Sequence, residues 1–565
     1  MLLPGSTTHS MSHHRVRARR AAMAAAAAAA LAVNAGLAGG QPASAAPLPT
    51  VTAVWLIDTD NGAKVAELDH YLTVLDLPYL PKHLSVQAFL DGSASATFTT
   101  ASGTHPESTA PYTMAGEVGT SSKPVPALSV PGTVAVDITP YALKDAKGTK
   151  GTTQNRRIQL RKADYLVTST ADLLDATPGN GVCASSAGTC TVRAAVEEAN
   201  ARSGRQNISI PAGTYALPLG ELLVKGDTGL WGHGRPSLQA AGNSRVLRVQ
   251  GAGMSPTVQA EDLDMAGGNV GDTSWGGVAL IANGRLELSR SDVHGGTANM
   301  GGGLAVAAAG ELQLSTTTVH HNTAGDPGQS SGAGATQRGG GIYSSGKVSI
   351  GSSSIADNRA TFGAGLSNSG GVAGIYNSSL MGNVAVAWGG GLENRSIDTD
   401  ADGVTDAVAT MMLTFSTITD NKAGFTASSL GPDYRGGGGI WNTGSLSWGL
   451  NVVAQNEAKW SGAAYFAPDC WSPAANSVKS LGTNVLGVYT ARCGLSLPLG
   501  TTLKGTASSP LDPGLLSRTD TPFAARVPLQ TSPAVSYRVT DPACPSADVR
   551  GRPRTQPCWL GSAQS

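Results

Sequence analysis

Charge is scarce in this chain of 565 residues: Asp, Glu, Lys and Arg make up 14% of it, and the two signs cancel to a net charge of zero. Such a balance leaves no basic stripe of the kind that displaces counterions from phosphate, so no nucleic-acid partner is expected. Long apolar runs are also missing after the first 45 residues. No later stretch approaches the ~20 apolar residues that span a bilayer, so no membrane span is expected in the mature chain. Cysteine occurs only six times. Glycine is what the chain has in excess, with 73 copies, nearly twice the usual share of ~7%. It follows no strict triplet, which excludes collagen. Regularly placed Val, Ile and Leu between the glycines argue for a β architecture with many tight turns over disorder.

Residues 1–45 read as an export signal. A basic segment (His13, His14, Arg15, Arg17, Arg19, Arg20) precedes the apolar run 21–38, and Ala43-Ser44-Ala45 offers small residues for cleavage. The mature protein is expected to be secreted or extracellular. The cysteines agree, because they fall into three local pairs, Cys183/Cys190, Cys470/Cys493 and Cys544/Cys558. Disulfides within these pairs suit an oxidising compartment. Metal binding is the rival reading, but the spacings are wide and no histidine sits nearby.

Residues 46–165 alternate apolar and polar positions, as in Val51-Thr52-Ala53-Val54-Trp55-Leu56-Ile57, and turn signals at Asp60-Asn61-Gly62 and Asp91-Gly92 break the runs. Period two marks strands with one buried face, and a small β-sandwich is the expectation. This unit resembles extracellular β-sandwich modules related to malectin-like carbohydrate-binding domains. The residues that carry the resemblance are Leu56-Ile57-Asp58-Thr59-Asp60, Glu107-Ser108-Thr109-Ala110-Pro111-Tyr112 and Thr139-Pro140-Tyr141. It implies a binding or structural module.

In residues 166–215, Val192, Ala195, Val196 and Ala199 fall at i, i+3, i+4 and i+7, one apolar face of a short helix. With Pro211-Ala212-Gly213-Thr214-Tyr215 this segment resembles the extracellular CSLREA family of β-helix proteins, although Val192 and Ala194 replace that family's Leu and Glu. The resemblance implies that the helix caps the N-terminal end of a solenoid.

Residues 216–460 carry a repeat: small or polar, apolar at +2, asparagine at +5, alanine at +7. It occurs as Thr317/Val319/Asn322/Ala324, Ser353/Ile355/Asn358/Ala360, Ser378/Leu380/Asn383/Ala385, Ser416/Ile418/Asn421/Ala423 and Asn451/Val453/Asn456/Ala458. Each copy follows glycines that lead into an aliphatic residue, as in Gly341-Ile342, Gly365-Leu366 and Gly391-Leu392, and the shortest steps are 24 and 26 residues. A period in this range with short strands and no helix predicts a right-handed parallel β-helix. Like positions then form columns about 4.8 Å apart. An asparagine column can hydrogen-bond up the stack, and asparagine itself tolerates the left-handed backbone of a sharp corner. Residues 461–565 break the repeat and are expected to form last coils and a disulfide-bonded terminal region. They resemble the end of choice-of-anchor Q β-helix proteins, on Ser532-Pro533-Ala534-Val535 and Cys544-Pro545-Ser546-Ala547-Asp548-Val549-Arg550-Gly551-Arg552-Pro553. No anchor follows, which implies release or non-covalent attachment to the envelope.

Three sets of residues are candidates for chemistry. Asp398, Asp400, Asp402 and Asp406, with Gly403 among them, have the alternate-oxygen spacing of a Ca²⁺ loop but lack the acidic residue that ends a helical one. Tyr343, Glu393 and Trp441 share the column just after the glycines and are expected to face outward, an acid between aromatic platforms for sugar binding. Trp388, Trp448, Trp460 and Trp471 concentrate in the same coils. Asp357 and Asp420, each just before a column asparagine, lie two coils or about 9–10 Å apart, at the edge of the ~6.5–9.5 Å of an inverting glycosidase. Aspartate before asparagine is equally a turn pair. Arg338, Arg359, Arg395 and Arg435 lie near the acidic insertion but share no column with acids. The expectation is an adhesin-like protein that binds polysaccharide or an envelope surface. The alternative is a polysaccharide lyase or glycoside hydrolase using Asp357, Glu393 and Asp420.

Overall fold

The computed structural model describes residues 48–562, apart from 69–71, 119–120, 254, 272, 326–336, 401–403, 425–436, 459–468, 473–477 and positions interspersed between 491 and 559. The export signal, Asp402, Gly403, Arg435 and Trp460 lie outside the described residues.

The N-terminal unit is two packed sheets. One has the strand order Lys64–Glu67, Thr50–Asp58, Leu84–Asp91, Tyr112–Thr113, and the other Leu72–Asp76, Gln154–Arg161, Gly132–Leu143, Ser95–Thr100, Gly103–Glu107. Their inward residues, among them Leu56, Leu84, Val86, Phe98, Val136, Ile138 and Ile158, form a core of their own. The period-two pattern thus becomes one buried face per strand.

Tyr165–Leu166 begins the second unit by pairing in parallel with Gln206–Pro211. The helix Val192–Ala201 lies across this end of the rod. Thr191 Oγ1 accepts from the Ala194 N–H at 3.0 Å and caps it. Val192, Ala195, Val196 and Ala199 join the rod's apolar core. Arg193 holds the adjacent loop, donating to Asp172 and to the Gly220 and Glu221 carbonyls.

From there on the described strands pair in parallel with their equivalents in neighbouring coils. In one coil these strands are Ile342–Ser344, Lys347–Gly351, Ser354–Ala356 and Arg359–Phe362. The next coil has Leu366–Ser369, Val372–Tyr376, Ser379–Met381 and Val384–Trp388, matched residue for residue save a shift in the last. The columns extend into sheets of 19, 11 and six strands. This is a parallel β-helix, and the glycine-led segments stack along one rod as their spacing predicts. Leu304, Ile342, Leu366, Leu392 and Ile440 fill its interior.

The asparagine column forms a continuous ladder. Asn322, Asn358, Asn383, Asn421 and Asn456 each donate Nδ2–H to the next residue up, at 3.1, 3.0, 2.9 and 2.9 Å and finally 2.8 Å to Asp469. All the asparagines are buried, so each amide replaces water for its neighbours. The left-handed corner, however, is not at asparagine. It is taken by the residue before it: His321, Asp357, Gly382, Asp420 and Gln455 have φ of 53°, 54°, 67°, 58° and 59°. The asparagine amide must aim along the column, so the chain reverses one residue earlier.

All three expected disulfides are formed, Cys183–Cys190, Cys470–Cys493 and Cys544–Cys558, and among the described residues no cysteine is free. Five of the six half-cystines are buried, and Cys183 is half-buried. Cys190 and Cys493 are buried and pack into the rod's apolar core together with Cys470. The first bridge ties the loop before the capping helix to the core, and the second ties the last coils to it. No described helix is long and apolar enough to cross a membrane. Beyond residue 470 the columns continue through Cys470–Trp471, Val478–Ser480 and Val485–Leu486. Described residues of the terminal segment lie against the rod. Asn377 donates to the Ala547 carbonyl, and the Ser562 N–H donates to Thr417 Oγ1, both at 3.0 Å. The Cys544–Cys558 pair packs on Phe415.

Candidate functional site

The column Ala305, Tyr343, Ser367, Glu393, Trp441, Trp471 forms as its spacing predicts. It is covered, not open. Glu393 is fully buried, and Tyr343 and Trp441 are 6% and 4% exposed. The cover comes from a neighbouring column, the residue before each glycine cluster: Trp275, Met300, Arg338, Phe362 and Trp388. The glycine after each of these has φ between 55° and 71°. That left-handed step folds the preceding side chain back over the column. At Gly363 a Cβ would sit 2.8 Å from Glu393 Cβ and 2.9 Å from Ser367 Cβ, so only glycine fits. Trp275 meets Tyr343 edge to face at 5.4 Å, and Trp388, Trp441 and Trp471 stack at 5.1 and 5.4 Å. Glu393 is ion-paired with Arg338 and accepts from Ser367 Oγ at 2.6 Å and Trp388 Nε1 at 3.1 Å. Burial raises the Tyr343 phenol and lowers the Arg395 guanidinium. Tyr343, Glu393 and Trp441 are therefore buried and not outward-facing as expected, with Trp441 inside an apolar cluster with Phe362, Trp388 and Trp471. Sequence reasoning missed Arg338 as the partner of Glu393, although its place before a glycine cluster was the available signal.

Asp357 and Asp420 are half-buried corner residues at left-handed φ. They stand in the column of His321, Gly382 and Gln455, which favours the turn reading. They follow strands Ser354–Ala356 and Thr417–Thr419 of the 11-stranded sheet, whereas Glu393 lies on Leu392–Arg395 of the 19-stranded sheet. The half-cystines belong to no site either: Cys190, Cys470, Cys493, Cys544 and Cys558 are all buried, and Cys183 is partly so against the core, so their part is structural.

The acidic insertion loops out between Leu392–Arg395 and Thr410–Thr414. It is pinched at its base, where the Ile397 and Ala407 N–H groups donate to each other's carbonyls at 2.8 and 3.0 Å. Carboxylate oxygens of Asp398, Asp400 and Asp406 lie within 4.8 Å of one another. The Thr399 N–H and hydroxyl both donate to Asp406 and hold its carboxyl below the usual range. Hard oxygen donors in a tight loop are the ligand set that suits Ca²⁺.

A site that the sequence did not reveal lies where the sandwich meets the rod. Here a cleft of about 630 Å³ runs between the edge strand Leu72–Asp76 and the first coils. One wall is an outward column of the large sheet, Asn207, Gly229, Gln259, Glu287 and Gln313 in register. Its polar groups are fixed by one another: Arg205 donates to Gln259 at 2.6 Å, and Gln259 donates to Glu287 at 2.8 Å. At the floor, Arg161 of the sandwich stacks over Trp231 at 4.1 Å, donates to Asp76 at 3.0 Å and pairs with Glu261 of the rod. Burial opposes ionisation of Glu261, but the Arg161 and Arg290 guanidiniums hold its carboxyl below the usual range. Burial prevails at Asp76, whose pKa is raised in spite of Arg161. Tyr79 also stacks on His233 at 4.1 Å, so the two units meet through rings and ion pairs.

Fold and cleft together define a disulfide-bonded parallel β-helix protein with an N-terminal β-sandwich. No protein-family model and no curated protein sequence matches the chain. Among solved structures it matches a crystal structure of pectate lyase Pel9A at 14% identity. That alignment covers 71% of this chain and 97% of the lyase, with a TM-score of 0.31.

Proposed function

We propose that this protein binds polysaccharide or a polysaccharide-coated cell envelope outside the cell, in an adhesin-like role, through the cleft between sandwich and rod. The observation that carries the reading is the ordered polar wall of Asn207, Gln259, Glu287 and Gln313. It repeats amide and carboxylate groups along the rod at the coil spacing. Sugar hydroxyls both donate and accept, so a row of side-chain amides and carboxylates suits a chain of sugars better than an apolar or singly charged ligand. The resemblance of residues 51–162 to malectin-like modules supports the same reading, and the disulfides fit an extracellular setting. Full burial of Glu393 and the corner geometry of Asp357 and Asp420 favour binding over hydrolysis or elimination. The aspartate loop adds a Ca²⁺ site through Asp398, Asp400 and Asp406, with Asp402 as a fourth carboxylate of the same loop.

The test is a panel of acidic and neutral polysaccharides, assayed for retention of the protein and for release of reducing ends or unsaturated products. Retention without product is expected. Steady product release that survives Glu287→Ala would favour the enzymatic alternative.

A further inference from the structure

A second group of metal-type side chains stands on the 11-stranded sheet, well away in sequence from the acidic insertion. Three neighbouring strands, Asp264–Ala266, Asp292–His294 and Thr318–His320, pair in parallel. Register places Asp264 against Asp292 and His294 against His320. Residues two apart in a strand share a face, so Asp292 and His294 stand side by side. The same contact then recurs one coil apart: His294 Nε2 lies 2.9 Å from Asp264 Oδ1, and His320 Nε2 lies 2.9 Å from Asp292 Oδ1. The His294 and His320 rings stack at 5.1 Å.

One ligand atom each from Asp264, Asp292 and His294 lies within 4.8 Å of the others. Bonds of ~2.0–2.2 Å to a tetrahedral ion require donors roughly 3.3–3.6 Å apart, so the His294–Asp264 pair opens from 2.9 Å while the other pairs settle from within 4.8 Å, adjustments within reach of side-chain rotation. The side chains of Asp264, Asp292 and His294 are 27%, 25% and 34% exposed, so an ion can enter from solvent. Asp292 Oδ1 is itself shielded and lacks a well-aligned hydrogen bond despite the nearby His320. An ionised carboxylate has several lone pairs, so Asp292 can hold an ion beside its contact with His320.

The geometry points to a divalent transition-metal site of the Zn²⁺ class, with Asp264, Asp292 and His294 as ligands and His320 as the residue that positions Asp292. A mixed nitrogen and oxygen set favours Zn²⁺ over Ca²⁺ or Mg²⁺, which take oxygen alone. Three protein ligands leave a coordination position for water or a ligand group, as in an open site. Because the ligands come from consecutive coils, the ion also ties the coils together and stabilises the folded rod by binding only to it.

Calorimetric titration of Zn²⁺ into the chelator-treated full chain, with Ca²⁺ present to fill the aspartate loop, tests this. A saturable Zn²⁺ site is expected, accompanied by a rise in melting temperature. Affinity falls at least about tenfold in His294→Ala and Asp264→Asn and about tenfold in His320→Ala, and is unchanged in Asp398→Asn. His294→Gln, which keeps a polar side chain of similar reach, shows the same loss, and Co²⁺ gives a visible ligand-field spectrum that this variant lacks. No saturable binding, or unchanged Zn²⁺ affinity in both His294 variants, would reduce the cluster to proton-sharing His–Asp pairs and overturn the proposal.

Discussion

Asn383 shows how much one side chain does in this fold. Its Oδ1 accepts from both the Asn358 N–H and Nδ2 at 3.0 Å, while its own Nδ2 donates to Asn421 and to the Ile355 carbonyl. Alanine there strands buried donors on one side and an acceptor on the other. Each unsatisfied buried group costs about 1–3 kcal/mol, so Asn383→Ala should lose several kcal/mol in chemical denaturation. Asp357→Asn, one residue ahead of the ladder at a left-handed corner that asparagine also tolerates, should change stability by no more than a few tenths. A second residue closes the ladder. Asp469 is buried and accepts from the Asn456 N–H and Nδ2 and from the Val488 N–H at 2.9, 2.8 and 2.7 Å. Burial nevertheless pushes its carboxyl up from 3.8 to about 7. A carboxyl with a raised folded-state pKa holds its proton more tightly in the native protein. Its contribution to stability is complete below pH 4 and is lost as the pH rises through 7. The melting temperature should therefore fall from pH 5 to pH 8, and Asp469→Asn should flatten that fall. An equal slope in the variant would count against the titration of this residue.

At the scale of elements, the periodic part of the sequence was legible and the parts that turn away from it were not. Equal rank in the repeat gave the columns, because in-register stacking is what a fixed period means physically. It did not give the backbone angle at each rank, so the left-handed corner falls on the residue before asparagine rather than on asparagine itself. Nor did it show that Glu393 is buried. The cover comes from Arg338, two coils below, and from Trp388, and it depends on a left-handed glycine whose direction no period encodes. The disulfides were legible because each pair closes a short loop, although spacing alone did not show that Cys190 and Cys493 would sit inside the rod's core. The aspartate loop was legible as a spacing, and its pinched base at Ile397 and Ala407 adds the closure that a cation site needs. Ca²⁺ should raise the melting temperature of the protein, and Asp398→Asn with Asp406→Asn should abolish the increment. An unchanged melting temperature in excess chelator would remove the loop from the account.

Among the described residues, a sandwich packs at the N-terminal end of a rod, and parts of a disulfide-bonded terminal segment lie against the rod's side. The cleft exists only at this scale, since its walls are residues 72–76 and 159–162 on one side and 205–315 on the other. No local pattern joins them, which is why sequence reasoning points to a sugar-binding face farther along the rod. The two locations make different demands. If ligand lies in the cleft, truncating its polar wall weakens binding while changes in the covered column affect folding alone. The most direct measurement is the affinity of the protein for whichever polysaccharide retains it, compared between Gln259→Ala with Glu287→Ala and Glu393→Gln. The cleft pair should bind at least about tenfold more weakly, roughly 1.4 kcal/mol, and Glu393→Gln should bind as the unaltered protein does. Undiminished binding by the cleft pair, with loss confined to folded Glu393→Gln, would contradict it.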